Sequence, residues 1–201
     1  MKRTITTILL STLLIVSYSQ STDSITNTSV DTITEPIIIE SKLISKSVDE
    51  FTDEVDYFVE GMVFYADGGD LKTEGMIMQL FLKSKNEKLK AGTIYFKVAG
   101  MTGCIDKGST LIVMFENGTK TTLTNFNSFS CKGVNYFSIA GKEDLFKNNK
   151  IKALKYTNKR TYESMVVKNN MTDDNKTHLM NILLEIDKIN SGEVTVGLTK
   201  E

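Results

Sequence analysis

From residue 57 onward the chain is a succession of short apolar runs, rich in β-branched and aromatic residues and cut apart by turn residues. That spacing reads as an antiparallel β body. Seven runs stand at 57–66, 76–82, 93–99, 110–116, 119–126, 134–140 and 151–157, with an eighth at 161–167. The breakers between them include Asp67-Gly68-Gly69-Asp70, Lys90-Ala91-Gly92, Asp106-Lys107-Gly108, Lys132-Gly133 and Asn148-Asn149. Each suits a turn because its residues tolerate left-handed backbone or cap neighbouring amides.

The strongest local signal is Asn117-Gly118 between two β-rich runs, which fits a two-residue type I′ hairpin. That turn sets Glu116 against Thr119, Met114 against Thr121 and Ile112 against Leu123. Ile112, Met114 and Leu123 then share one face, and Leu111, Val113 and Phe115 lie opposite Thr124, Thr122 and Lys120 on the other. Because Leu111 to Phe115 is apolar without alternation, this strand is expected to be central and covered on both sides.

A helix is expected at 172–190. Thr172 is its N-cap, and Asp173 and Asp174 sit in a first turn where the helix dipole favours negative charge. Leu179, Ile182, Leu183, Ile186 and Asn190 recur on one side, with Met180 and Leu184 widening the stripe. Ser191-Gly192 ends it, and 193–201 reads as a short strand through Val194 and Val196 or a frayed tail. The expected fold class is α+β, mainly β. Residues 37–201 form a single antiparallel β-sandwich or half-open barrel of about seven or eight strands, closed by the C-terminal helix.

Before this domain the sequence changes character twice. Lys2 and Arg3 precede an apolar run from Ile5 to Val16, and Ser17 and Ser19 stand three and one positions before a cut ahead of Gln20. Residues 1–19 therefore read as a secretory signal peptide with cleavage between Ser19 and Gln20. The run is short of the roughly 20 residues a spanning helix needs, and no later segment comes closer, so no transmembrane segment is expected after its removal. Residues 20–36 form a flexible polar leader of Ser, Thr, Asn and Asp. Pro36 then favours an extended entry into Ile37-Ile38-Ile39, a candidate edge strand. Residues 41–56 fit a surface helix or an irregular approach to the first strand equally well and stay unassigned.

Removing 1–19 takes away two basic residues and leaves 22 Lys+Arg against 25 Asp+Glu, a net charge of −3. That balance argues against a nucleic-acid partner, whose phosphates call for a net basic domain or stripe. A basic stretch does run from Lys142 to Arg160, and an acidic one from Asp49 to Glu60. Both read as solvated faces, or as surfaces that complement one another. Cys104 and Cys131 are the only cysteines, and an exported chain oxidises such a pair, so a structural disulfide is expected. A redox or zinc site lacks support: there is no CxxC spacing, and His178 is the sole histidine.

Three further constellations carry possible chemistry. His178 lies beside Asp174 at helical spacing, as a general base oriented by a carboxylate would, but no GxSxG or catalytic-cysteine setting supplies a nucleophile. A histidine on the flank of the helix accounts for it. Asp67, Asp70 and Glu74 offer hard oxygen ligands of the kind that hold calcium, yet match no EF-hand loop. An acidic turn whose carboxylates cap amides explains the same residues. Phe126, Phe129, Tyr136 and Phe137 gather around Cys131, as a carbohydrate or peptide platform would require. The alternative is a disulfide packed under aromatic rings, and two or more rings exposed together would decide for the platform. No glycine pattern supports a nucleotide site, and no cofactor is expected.

From Asp106 to Ser164 the chain resembles an uncharacterised family of small exported bacterial β-rich proteins. The resemblance rests on Asp106-Lys-Gly-Ser109, Phe115-Glu-Asn-Gly118, Asn127-Ser-Phe-Ser-Cys131-Lys-Gly133 with Tyr136-Phe137, and Arg160-Thr-Tyr-Glu-Ser164. It departs at Asn158-Lys159, where Asn-Gly would be usual, and it brings no activity, ligand or catalytic residue. The expected function is an exported, non-enzymatic binding or structural module, periplasmic, at the cell surface or secreted. Its expected partner is an envelope protein, peptide or glycan. The alternative is a hydrolase or lyase that uses carboxylates such as Asp67, Asp70 and Glu74 on an extracytoplasmic substrate. A cleft converging two carboxylates would favour the enzyme, and an exposed aromatic patch the binding module.

Overall fold

A computed structural model describes residues 39–68, 74–101 and 104–199. The signal segment, its cleavage site at Ser19 and Gln20, the leader, and Asp70 lie outside the described residues. Among the described residues ten strands form three antiparallel sheets, and the body matches the expected mainly-β class. One four-stranded sheet has the order β3-β4-β5-β8, from strands Met62–Tyr65, Gly75–Lys85, Lys88–Ala99 and Val134–Ser138. The other has the order β10-β9-β6-β7, from Ser164–Val167, Ile151–Thr157, Thr110–Phe115 and Lys120–Thr124. A separate hairpin pairs β1 (Ile44–Val48) with β2 (Val55–Val59).

The two four-stranded sheets face each other across the core. Phe96 and Phe137 from one meet Tyr156 from the other, with ring centroids 5.6 Å (Phe96–Phe137) and 5.7 Å (Phe96–Tyr156) apart. Among the described residues, one backbone–backbone hydrogen bond joins their edges on each side. The Phe126 N–H donates to Tyr136 O on one side, and the Asp67 N–H donates to Val166 O on the other. The sheets are therefore not closed into a barrel. The disulfide Cys104–Cys131 is formed, next to the bridge Ile105↔Ser130.

The helix expected at 172–190 is α2, Asp173–Ser191. Thr172 Oγ1 accepts from Asn175 N and Asn175 Oδ1 accepts from Thr172 N, a capping box that satisfies two donors at the helix start. Leu179, Ile182, Leu183 and Ile186 are buried as the stripe requires, but Leu184 is exposed and does not widen it. Asn190 exchanges two hydrogen bonds with the Leu89 backbone. A five-residue helix, α1 (Glu143–Lys147), was not foreseen; its Phe146 packs edge-on against Phe115. No helix among the described residues is long and apolar enough to cross a membrane.

Several sequence expectations need correction. The Asn117-Gly118 hairpin has a three-residue loop: Phe115 N donates to Thr119 O, and Gly118 takes a left-handed φ of 86°. The register shifts by one, setting Leu111 opposite Leu123 and Met114 opposite Lys120, so Leu123 joins the buried face with Leu111, Val113 and Phe115. Strand β6 is central as expected, but Ile112 and Met114 on its other face are only half-buried. The run 57–66 breaks at Glu60-Gly61 into β2 and β3. Lys90-Ala91-Gly92 is no turn: it lies within β5, where Gly92 is the extra residue of a bulge between the pairs Phe81↔Thr93 and Leu82↔Ala91. The true turn is Asn86-Glu87, both left-handed. Residues 41–56 form the β1–β2 hairpin instead of a helix. The tail is neither strand nor frayed end; parallel bridges dock Thr195 on Glu40 and Leu198 on Lys46.

Candidate functional site

The period-2 alternation of β4 and β5 puts one set of side chains in the core and the other on the outer face of their sheet. Register aligns Gln79, Tyr95 and Tyr136 in one outer row and Phe81, Thr93 and Ser138 in the next. Phe81, Tyr95 and Tyr136 therefore meet, with centroids 5.8 to 6.1 Å apart, and Phe126 adds a fourth ring 6.2 Å from Tyr136. Phe81 is 40% exposed and Phe126 50% exposed, so these rings form a surface and not a core. Val63, Tyr65 and Ile77 continue the apolar face toward the β3 end.

Of the four aromatics expected around Cys131, the structure brings two together and separates two. Phe137 is fully buried, whereas Phe126 and Tyr136 join the outer patch. Phe129 is 55% exposed and lies under the Arg160 guanidinium at 5.3 Å. Sequence reasoning missed Phe81 and Tyr95. The breaker assigned at Lys90-Ala91-Gly92 concealed the register that brings them to Tyr136.

Beside the patch, a groove of about 1040 Å³ is bordered by β2, with Tyr57 and Val59, and by the distal half of β4, with Phe81 and Leu82, and reaches Lys90, Gly92 and Thr93 of β5. At its head Gln79 Nε2 donates to Val59 O at 2.8 Å. Toward its mouth the β4–β5 hairpin carries Lys83 opposite Lys90 and Lys85 opposite Lys88, all four exposed. Like charges directly opposite in a sheet repel.

Asp67, Glu74 and His178 are each held by local contacts. Asp67 Oδ1 accepts from the backbone N–H of Lys168 (3.0 Å), Asn169 (2.9 Å) and Asn170 (3.3 Å), and Oδ2 from Asn169 (3.1 Å). Its carboxylate thus caps amides, as the turn reading expected, but they belong to the chain after β10 and not to its own loop. Glu74 gives its carbonyl to Ala66 N and lies against Gly100. Among the described residues no group of three His, Cys, Asp or Glu is placed to hold a metal ion. His178 Nε2–H donates to Glu60 O at 3.0 Å, and burial pushes its pKa below the ordinary histidine value. Two cations of the basic stretch are ion-paired, Lys147 with Asp187 and Asp144 and Arg160 with Asp106, and among the described residues no ion pair joins the stretch to the acidic one. Comparison with protein-family models, curated proteins and solved structures finds no match to this chain.

Proposed function

We propose that the chain is an exported, non-enzymatic binding module that engages a peptide, protein or glycan through the outer face of the β3-β4-β5-β8 sheet. The observation that carries this reading is the contiguous outer-face set Phe81, Tyr95, Tyr136 and Phe126, in which Phe81 and Phe126 are exposed and the two tyrosines half-buried. Aromatic rings supply large contact area at small entropic cost, and exposed patches of them mark recognition surfaces. The disulfide supports an oxidising destination, periplasmic, at the cell surface or secreted, for a chain opening on a signal-like segment.

Two measurements test it. N-terminal sequencing of exported protein is expected to begin at Gln20, and intact residues 1–19 would overturn the export reading. Purified protein titrated with envelope glycan fragments and envelope-derived peptides is expected to show binding through shifts of the Tyr95 and Tyr136 ring resonances. The double variant Phe81→Ala with Tyr136→Ala should weaken that binding at least about tenfold, since each factor of ten corresponds to about 1.4 kcal/mol. Unchanged affinity, or no binder in either set, would overturn it.

A further inference from the structure

We infer that the groove between β2 and the distal half of β4 seats an extended segment of a partner polypeptide. The segment adds as a β-strand, apolar side chains inward and acidic ones beside the lysines. The inference rests on the binding reading above and names the partner's chemistry.

The argument begins with backbone parity. Strand β3 pairs with β4 only as far as Met62↔Met78, and no strand among the described residues pairs with β4 on that side from Gln79 to Lys85. Because Ala66 N–H donates to Glu74 O, the even-numbered residues of β4 direct their N–H and C=O toward β3. Continued past Met78, the same parity makes Leu80, Leu82 and Ser84 present theirs to the groove. On the other wall, Lys46 uses its N–H on Gly197 O and its carbonyl on Thr199 N, on the side of β1 away from β2. The pair Lys46↔Tyr57 therefore exchanges no ladder bonds, and Val55, Tyr57 and Val59 direct their backbone groups outward from β1. The Val59 carbonyl confirms the direction, since it receives the Gln79 side chain from β4.

Two unpaired strand edges thus face one groove, and a side-chain amide already makes at its head the kind of bond a strand would make along it. Alternating donors and acceptors at the strand repeat are a property of polypeptide backbone, which sugars lack. The inward floor is apolar, with Leu80 and Val59 buried. The lining sets Lys83, Lys85 and Lys90 against Glu54 and Asp56 on the β2 wall, a net positive charge of one, with Lys88 opposite Lys85 beside it. None of the four lysines has an ion-pair partner among the described residues. A second copy would bring the same lysines against them, the arrangement by which edges resist self-pairing, whereas acidic outward side chains on a foreign strand relieve the repulsion.

The probe is a capped seven-residue peptide alternating glutamate and valine, added to the disulfide-bonded chain with ¹⁵N label. Its binding is expected to slow hydrogen exchange at the amides of Tyr57, Leu82 and Ser84 at least about tenfold. A peptide with lysine for glutamate, and one N-methylated at alternate residues, should each bind at least about tenfold more weakly. Leu82→Pro removes one groove-facing donor where proline is tolerated, at an unpaired edge, and should weaken binding by a similar factor with the thermal transition retained. Ser84→Pro serves the same purpose should Leu82→Pro fail to fold. Equal affinity for the three peptides, no binding, or amides of Tyr57 and Leu82 already protected in the free protein would overturn the inference. Binding lost in the Phe81→Ala, Tyr136→Ala variant but kept in both proline variants would leave the aromatic-face reading standing and remove this one.

Discussion

The corner around Cys104–Cys131 and the groove between β2 and β4 treat their polar groups in opposite ways. In the corner, Asn125 Oδ1 accepts from Tyr136 N and Asn127 N, Asn158 Nδ2 donates to Cys104 O, and Ser109 Oγ donates to Asp106 O while accepting from Lys159 N. Among the buried side-chain groups of the described residues, Asn135 Nδ2 alone is left without a partner, beside a Tyr156 hydroxyl that donates to the same side chain's oxygen. In the groove, among the described residues, two strand edges make no ladder bonds, and the Val59 carbonyl is met only by the Gln79 side chain. Buried polar groups must be satisfied within the protein, and exposed ones are free to be satisfied by something else. The corner fixes Tyr136 and Phe126 in place, and the groove beside them keeps its backbone available.

The comparison is tested most severely by removing the cross-link. Cys104→Ser with Cys131→Ser should cost about 3–4 kcal/mol in the chain-entropy view for a separation of 27 residues. Urea unfolding measures it, and exchange at the Tyr57 and Leu82 amides should be unaltered under native conditions. Next, Asp67→Ala frees the three amides of Lys168, Asn169 and Asn170 and should cost about 2 kcal/mol, with Asp67→Asn costing less because an acceptor remains. A loss under about 0.5 kcal/mol would show that this strap does not hold the β3 edge to the other sheet.

The two smaller tests act on α2, whose His178 meets the link between β2 and β3. Thr172→Ala removes half of the capping box and should cost about 1 kcal/mol by urea unfolding. The pH dependence concerns His178, bonded to Glu60 O. Burial holds its folded pKa below the ordinary value of 6.5, so between the two values the unfolded chain binds more protons. Stability is therefore full above pH 6.5 and falls as the pH drops through and below it. Urea midpoints from pH 7.5 to 5 should show that decline, and His178→Gln should flatten it.

Much of the closed half was legible in the sequence. The runs at 110–116, 134–140 and 151–157 became β6, β8 and β9, and Thr172, the leucine–isoleucine stripe and Gly192 bounded α2, because each signal is local. The disulfide was legible because only one pairing existed. The open half was not. Asn86-Glu87 turns with both residues left-handed but without the glycine that marks such turns, and Gly92 looked like a turn residue while serving as a bulge. With that register displaced, neither the meeting of Phe81, Tyr95 and Tyr136 nor the facing of Lys83 and Lys90 could be read. The groove depends on where β2 lies relative to β4, and β2 pairs with β1, which is itself braced by a docked tail that no local pattern announces.

That docking has a consequence for how the molecule assembles. The β1–β2 hairpin is braced by Lys46 against Gly197 and Thr199, across more than 150 positions of chain. Loop closure over that span precedes any reward from the contact. A polypeptide delivered from its N-terminus can build both large sheets while this arm still waits for its brace. The wall bearing Tyr57 and Val59 is then the last part of the domain to be completed.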